Sequence, residues 1–119
     1  MDKLLNAFLE ALPLPIVGVD RRGLVILWNA AAEAVLGWTR AEVMGKPYPA
    51  VPPGLQEAHD ELRTSIFAGR VIPHHETRRR RKDGSEFDVV ITIAGARSSD
   101  GSIDVSLAVL HDFMLMRVA

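Results

Sequence analysis

Apolar and polar residues alternate along the C-terminal third of the chain in three stretches separated by two Asp-Gly pairs. The first stretch ends in the basic run 78–82, and Asp83-Gly84 follows it. The second covers residues 87–94, and Asp100-Gly101 leads into the third. A period of two residues is typical of a half-buried strand, and Asp-Gly between such stretches is typical of a hairpin turn. The pattern therefore predicts three antiparallel strands joined by tight turns.

The second and third of these strands each have one continuously apolar face. We expect both faces to point towards the protein interior, because a sheet with one apolar face needs a cover. The positions concerned are Phe87, Val89, Ile91, Ile93, Ile103, Val105, Leu107 and Val109.

The N-terminal half of the chain mixes helical and extended patterns. Asp2 can cap a short amphipathic helix that ends before Pro13, since proline removes a backbone donor. Its apolar stripe is formed by Leu4, Leu5, Phe8 and Leu9. Residues 16–19 and 24–28 then predict two short strands around a turn that contains Gly23.

Three further helices are predicted in the middle of the chain. Asn29 is a good N-cap for a helix that Gly37 ends, and Thr39 and Glu42 have the spacing of a capping box. Residues 55–68 repeat apolar positions every three or four residues, which predicts a longer helix. Five strands with helices between them predict an α+β fold, in which short helices and one longer helix cover one face of an antiparallel sheet.

Composition narrows the functional classes. The chain has 119 residues, a net charge of −1 and no cysteine. The near-zero charge gives no general attraction to nucleic acid or to an anionic membrane. The lack of cysteine excludes disulfides, thiolate metal sites and cysteine nucleophiles. Because there is no apolar run of roughly 20 residues and no signal-peptide pattern, we expect a single cytoplasmic domain without a membrane partner.

Several local phrases occur in order across nearly the whole chain, from about Leu5 to Asp112. They are Gly23 before the apolar strand 24–28, Asn29-Ala30-Ala31-Ala32-Glu33 with Gly37-Trp38, Thr39-Arg40-Ala41-Glu42-Val43-Met44-Gly45-Lys46, and Arg81-Lys82-Asp83-Gly84-Ser85-Glu86-Phe87. Together they resemble the PAS domain family. The resemblance implies a five-stranded antiparallel sheet whose concave face and central helices enclose a pocket. It divides the chain into a flanking helix (1–13), a PAS domain (14–113) and the start of a linker or tail (114–119).

The resemblance also implies a function. The chain is expected to be a non-enzymatic sensory or interaction module of a signal-transduction protein, binding a small ligand, dimerising, or both. It would regulate a linked effector, such as a histidine kinase in two-component regulation. Homodimerisation is expected through the stripe of the N-terminal helix. The sequence departs from the family after Asp112, where Phe113-Met114-Leu115-Met116 stands in place of Ile-Thr and a charged helix.

A ligand would lie between the strands and the longer helix. The predicted pocket residues are Ile26, Trp28, Leu62, Ile66, Ile91, Ile93, Leu107 and Val109. This set depends on strand register, because a slip of one residue exchanges the two faces of a strand.

His59 supports an alternative reading as a haem-based gas sensor. It is followed by Asp60 on the longer helix, and haem-binding members of the family carry an axial histidine in a similar context. A neutral imidazole directed at the pocket could bind ferrous iron. The flavin adduct of light–oxygen–voltage domains requires a pocket cysteine, which this chain lacks; flavin binding without an adduct stays open but has no specific support, and the cofactor is otherwise unknown.

The remaining polar clusters favour structural readings. His74 and His75 point to opposite faces of a strand, so they are not expected to share a metal ion with Glu76. The basic run 78–82 is expected to be a solvated hairpin arm whose charges are neutralised in part by nearby acidic residues. A small enzyme would need His59 and the 74–76 cluster to converge in one cleft, which we do not expect.

Overall fold

The computed structural model describes residues 3–111. The predicted Asp2 cap, the boundary at residue 113 and the tail 114–119 lie outside these residues. The elements are α1 (Lys3–Ala11), β1 (Ile16–Val19), β2 (Val25–Trp28), α2 (Ala30–Leu36), α3 (Arg40–Val43), α4 (Gln56–Phe67), β3 (Ile72–Arg80), β4 (Glu86–Arg97) and β5 (Ile103–His111).

The strands form one five-stranded sheet in the order β2-β1-β5-β4-β3, and every neighbouring pair is antiparallel. Helix α4 packs against β4 and β5, and so covers the face called the inner face below. The α+β architecture predicted from the sequence is therefore confirmed. Both Asp-Gly turns are also confirmed, since Gly84 and Gly101 have φ of 90° and 86°, values that glycine adopts readily.

Asn29 ties three elements together at the start of α2. Its side-chain oxygen accepts hydrogen bonds from the backbone N–H groups of Ala32 and Ile16, each at 2.9 Å. Its amide nitrogen donates to the carbonyls of Leu9 and Leu14 at 3.1 and 2.9 Å. Because this buried side chain caps α2 and also binds the end of α1 and the start of β1, it fixes where the N-terminal helix leaves the domain.

The short helices follow the predicted capping chemistry. Thr39 and Glu42 form the reciprocal capping box expected from their spacing. Gly37 ends α2 with a φ of 93°. Trp28 is 1% exposed, and its indole N–H donates to the carbonyl of Trp38 at 2.9 Å. These contacts fasten the short helices to the edge of the sheet.

On β4 the predicted inner face is confirmed, because Phe87, Val89, Ile91 and Ile93 all lie in the buried core. The prediction for β5 is wrong at Val105, Leu107 and Val109. A bulge causes the difference: Ala96 pairs with Val105, but the next residue of β4, Arg97, pairs with Ile103. The two-residue step on β5 leaves Ile103 on the inner face and puts the other three on the outer face.

Glycine packing confirms which side of the sheet these residues occupy. A Cβ atom added at Gly18 would meet side-chain atoms of Leu27, Leu107 and Val105 at 3.0–3.2 Å. The outer face is therefore also apolar. For this reason the hydrophobic alternation alone indicated the wrong face of β5 as the inner one.

The predicted inward position of Ile26 is also wrong. Gly18 pairs with Leu27 and Val19 pairs with Val25, so a bulge leaves Ile26 between two paired residues of β2. Its side chain is 40% exposed. An extra residue at a bulge is unpaired and bends the strand, which takes Ile26 away from the core.

A cavity between helix α4 and the sheet

A cavity lies between α4 and the inner face of β1, β4 and β5. Leu62 and Ile66 of α4 form its roof, and Val17, Ile91 and Leu110 belong to its apolar floor. The positions that the centre of a water molecule can occupy in this cavity total about 40 Å³. All the space that protein atoms leave unfilled, including the open mouth, amounts to about 450 Å³. Since one water needs roughly 10–15 Å³ on the first measure, the cavity has room for a few water-sized groups.

The structure brings together only part of the predicted pocket set. Leu62, Ile66, Ile91 and Ile93 line the cavity. Trp28 lies one layer away, where its ring meets the ring of Tyr48 edge-on with 6.3 Å between centroids. Ile26, Leu107 and Val109 do not line it, for the register reasons given above.

The polar lining of the cavity was not identified from the sequence. Arg79 of β3 is 4% exposed, and its Nε atom is buried without a hydrogen-bond partner. One terminal nitrogen, Nη1, donates to the carbonyl of Arg78 at 2.9 Å. The guanidinium carbon lies 5.8 Å from the centre of the Tyr48 ring. The expectation that the whole run 78–82 is solvated is therefore wrong for Arg79, which points inward because it pairs with the buried Phe87.

His59 lies at the mouth of the same cavity. Its ring stacks on Tyr48, with 5.4 Å between centroids and 25° between the planes, and its buried Nδ1 has no hydrogen-bond partner. Burial, together with the positive charges of Arg79 and Arg63, lowers the pKa of His59 to about 4. The imidazole is therefore neutral at pH 7.

Tyr48 completes the polar group from the loop that precedes α4. Burial raises the pKa of its hydroxyl above the ordinary value, and the nearby Arg79 opposes part of that shift. A neutral phenol, a neutral imidazole and a charged guanidinium thus meet in a mostly apolar cavity. The Ser106 hydroxyl group contributes from β5.

A haem does not fit this site. The cavity beside His59 holds only a few water-sized groups. A porphyrin is far larger than that space.

The histidines of β3 divide between two surroundings. The Nε2 atom of His74 lies 3.3 Å from an Oε2 of Glu76 on the exposed side. His75 instead lines a more open groove beside the cavity together with His59, Arg70 and Arg79. The expectation that His59 and the 74–76 cluster stay apart is therefore wrong for His75. Within residues 3–111, no three side chains of metal-binding type come close enough to hold an ion.

Of the other members of the basic run, Arg78 and Lys82 are exposed as expected, whereas Arg80 and Arg81 are partly buried. The Nε atom of Arg78 lies 3.6 Å from Glu86 and 3.7 Å from Asp88. The guanidinium group of Arg81 lies over the Phe87 ring, with 4.2 Å between its carbon and the ring centre. Lys82 pairs with Glu42. In the part of the chain that the structure describes, no helix is long and apolar enough to cross a bilayer.

Comparison with family models matches residues 3–113 to the PAS fold. The chain belongs to the PAS family. Comparison with curated proteins gave no match. The family assignment makes this chain a PAS sensory module, as the local phrases around Asn29 and Asp83 predicted.

Solved structures support the fold. An RNA-binding light–oxygen–voltage receptor superposes with a TM-score of 0.80 at 20% identity, covering 97% of this chain and 33% of the receptor. The PAS domain of a Colwellia psychrerythraea protein superposes with a TM-score of 0.78 at 21% identity, covering 92% and 94%. A domain of a sensory box sensor histidine kinase/response regulator from Geobacter sulfurreducens gives 0.74 at 19% identity, covering 92% and 91%.

These identities are low, so the superpositions describe the PAS fold and not a shared ligand. The chain spans about a third of the RNA-binding receptor. The RNA binding of that receptor is a property of that protein.

Proposed function

We propose that this PAS module is non-enzymatic, binds a small ligand in the cavity under α4, and acts as a homodimer through α1 to regulate a linked effector. The observation that carries the ligand proposal is the cavity itself, which places unpartnered polar atoms of His59 and Arg79 beside an apolar floor. An apolar cleft with a few converging polar groups is the usual form of a small-molecule site.

The ligand proposal is tested by native mass spectrometry of the purified protein. Ala108→Leu would fill the cavity from β5, where Ala108 lies on the inner face. Ala94→Leu makes the same substitution on the outer face of β4 and is the matched control. We expect a bound mass on the wild type and on the control, and its loss from Ala108→Leu. A bare chain in the wild type, or an unchanged bound mass in Ala108→Leu, would contradict the proposal.

The dimer proposal follows from the exposure of α1. Helix α1 contains no buried residue. Leu5 and Phe8 of its apolar stripe are 45% and 59% exposed. Leu4 is 77% exposed, whereas Leu9 is partly buried on the side towards the domain. A contiguous exposed apolar stripe on a soluble domain marks an interaction surface, and a second copy would cover it with the same residues.

Sedimentation velocity tests the dimer. Phe8→Glu places a charge in the stripe, and Asn6→Glu places the same charge at an exposed position outside it. We expect the wild type and Asn6→Glu to sediment as dimers and Phe8→Glu as a monomer. A monomeric wild type, or a dimer that survives Phe8→Glu, would show that α1 does not form the interface.

The effector remains a proposal drawn from the family. One PAS structure of the same fold comes from a sensor histidine kinase, which supports a kinase or similar output in two-component regulation. We expect a cytoplasmic protein. We also expect that it does not itself bind nucleic acid, because the net charge is −1 and Arg78 is paired with acidic residues.

A further inference from the structure

Arg79 has an unusual electrostatic position for a buried arginine. Its side chain is almost fully buried, yet no aspartate or glutamate of residues 3–111 forms an ion pair with it. Buried charges in proteins are normally paired, because removing a charge from water without a partner is strongly unfavourable. A hydrogen bond to the Arg78 carbonyl and the neighbouring Tyr48, whose ring face and hydroxyl oxygen both interact with the guanidinium group, compensate only part of that loss.

The cavity that Arg79 lines is rich in donors and has no acidic side chain in its wall, whereas the adjoining groove, which Arg79 also lines, contains Glu61. The cavity wall contains the side chains of Arg63 and Arg79 and no carboxylate. Arg63 is paired with Asp60, with 3.2 Å between Nη1 and Oδ1, whereas the Nε of Arg79 has no partner. Ser106 and His59 add a hydroxyl group and a neutral imidazole to the same wall. What the cavity lacks is an anionic acceptor.

We infer that the ligand of this cavity is a small carboxylate with an apolar body, whose head group binds Arg79 and whose body lies along Val17, Ile91 and Leu110. This inference rests on the proposed interior ligand site. A guanidinium group presents parallel N–H donors that match a carboxylate, and such charged hydrogen bonds are stronger than neutral ones. The narrow apolar space suits an unbranched alkyl chain.

The test compares two probes that differ in charge and hardly in shape, hexanoate and hexanamide. Their affinities for the full chain are measured by NMR titration in a buffer that contains no carboxylate. We expect the wild type to bind hexanoate at least about tenfold more tightly than hexanamide, as expected for a hydrogen bond to a charged group. In Arg79→Met the preference should disappear. In Arg78→Met, which removes the same group from the outer face, the preference should remain.

The outcomes separate this inference from the proposed function. Equal affinity of both probes in the wild type, or an unchanged preference in Arg79→Met, overturns the carboxylate head group and leaves an interior site for neutral ligands. If neither probe binds and native mass spectrometry finds no ligand, the interior site and the inference fail together. A copurified ligand identified as neutral overturns the inference alone.

The melting temperature of the ligand-free protein gives a second, independent measurement. If Arg79 is uncompensated in the empty cavity, Arg79→Met should melt at the same or a higher temperature than the wild type, and Arg78→Met, which loses an exposed pair with Glu86, should melt only slightly lower. A lower melting temperature for Arg79→Met alone would show that the guanidinium group is satisfied within the fold, and would overturn the inference even if no probe binds.

Discussion

Arg78 and Arg79 are neighbours on β3, yet they occupy opposite electrostatic environments. The Arg78 side chain is 55% exposed and lies near the carboxylates of Glu86 and Asp88. Arg79 is 4% exposed and faces a cavity without a carboxylate. Since successive residues of a strand point to opposite faces, one step along the chain turns a solvated charge into an unsatisfied donor. The contrast shows that a basic run cannot be interpreted as one surface.

The largest effect should come from removing an inner-face side chain. Ile91 is 1% exposed at the centre of β4, so Ile91→Ala should lower the free energy of unfolding by about 2–5 kcal/mol. Ile26 carries the same side chain but is 40% exposed, so Ile26→Ala should change it by about 0.5 kcal/mol or less. Urea unfolding measures both. Similar losses in the two variants would contradict the assigned facing of β2.

The faces of β4 and β5 also show how much of the strand facing can be predicted from the sequence. The facing of β4 was predictable, because Phe87, Val89, Ile91 and Ile93 are all large and apolar, whereas the other face includes Asp88 and Thr92. The facing of β5 was not, because the bulge at Arg97 and Ile103 shifts the phase and the outer face is apolar too. The element order and the capping of α2 and α3 were predictable, since Asn29, Thr39 and the glycines act locally.

The burial of Arg79 was beyond the sequence for a related reason. The inner positions of β3 that precede it are His75 and Thr77, which line the open groove beside the cavity. With polar residues on both faces, β3 has no hydrophobic alternation to fix its phase. The pairing of Arg79 with Phe87, together with its burial, shows which arginine points inward.

The next effect is a loss of stability in acid that depends on His59. The pKa of His59 is about 4 in the folded protein and 6.5 in an unfolded chain, so the unfolded chain takes up the proton first as the pH falls. The contribution of neutral His59 to the free energy of unfolding is complete above pH 6.5. That free energy should decrease by up to about 3 kcal/mol as the pH falls to about 4. The nearby charged groups are Arg79, Arg63, Asp60 and His75.

Urea unfolding between pH 7.5 and 4 measures this dependence. His59→Gln should flatten the profile in that window, whereas His74→Gln, at an exposed position of β3, should leave it as in the wild type. A wild-type slope that persists in His59→Gln would mean that other groups cause the acid sensitivity.

The smallest effect should come from the outer charges of the hairpin. Glu86→Gln removes one carboxylate that lies near Arg78, and exposed pairs of this kind contribute about 0.2–1 kcal/mol. The loss should shrink further at high salt, since exposed charges are screened. Thermal unfolding at low and high ionic strength measures it. A loss that exceeds that range, or one that is independent of salt, would show that the outer arm is not simply solvated.

The central claim is that Arg79 presents an unpaired donor to the cavity, and the side-chain N–H signal of its Nε reports this directly. In a two-dimensional ¹H–¹⁵N NMR spectrum, the Nε–H signal missing from Arg79→Met identifies it. We predict that hexanoate shifts this signal downfield with saturation and leaves the Arg78 signal unchanged, while hexanamide moves neither to the same extent. A signal from Arg79 that does not respond to hexanoate, or that responds equally to hexanamide, would contradict the account.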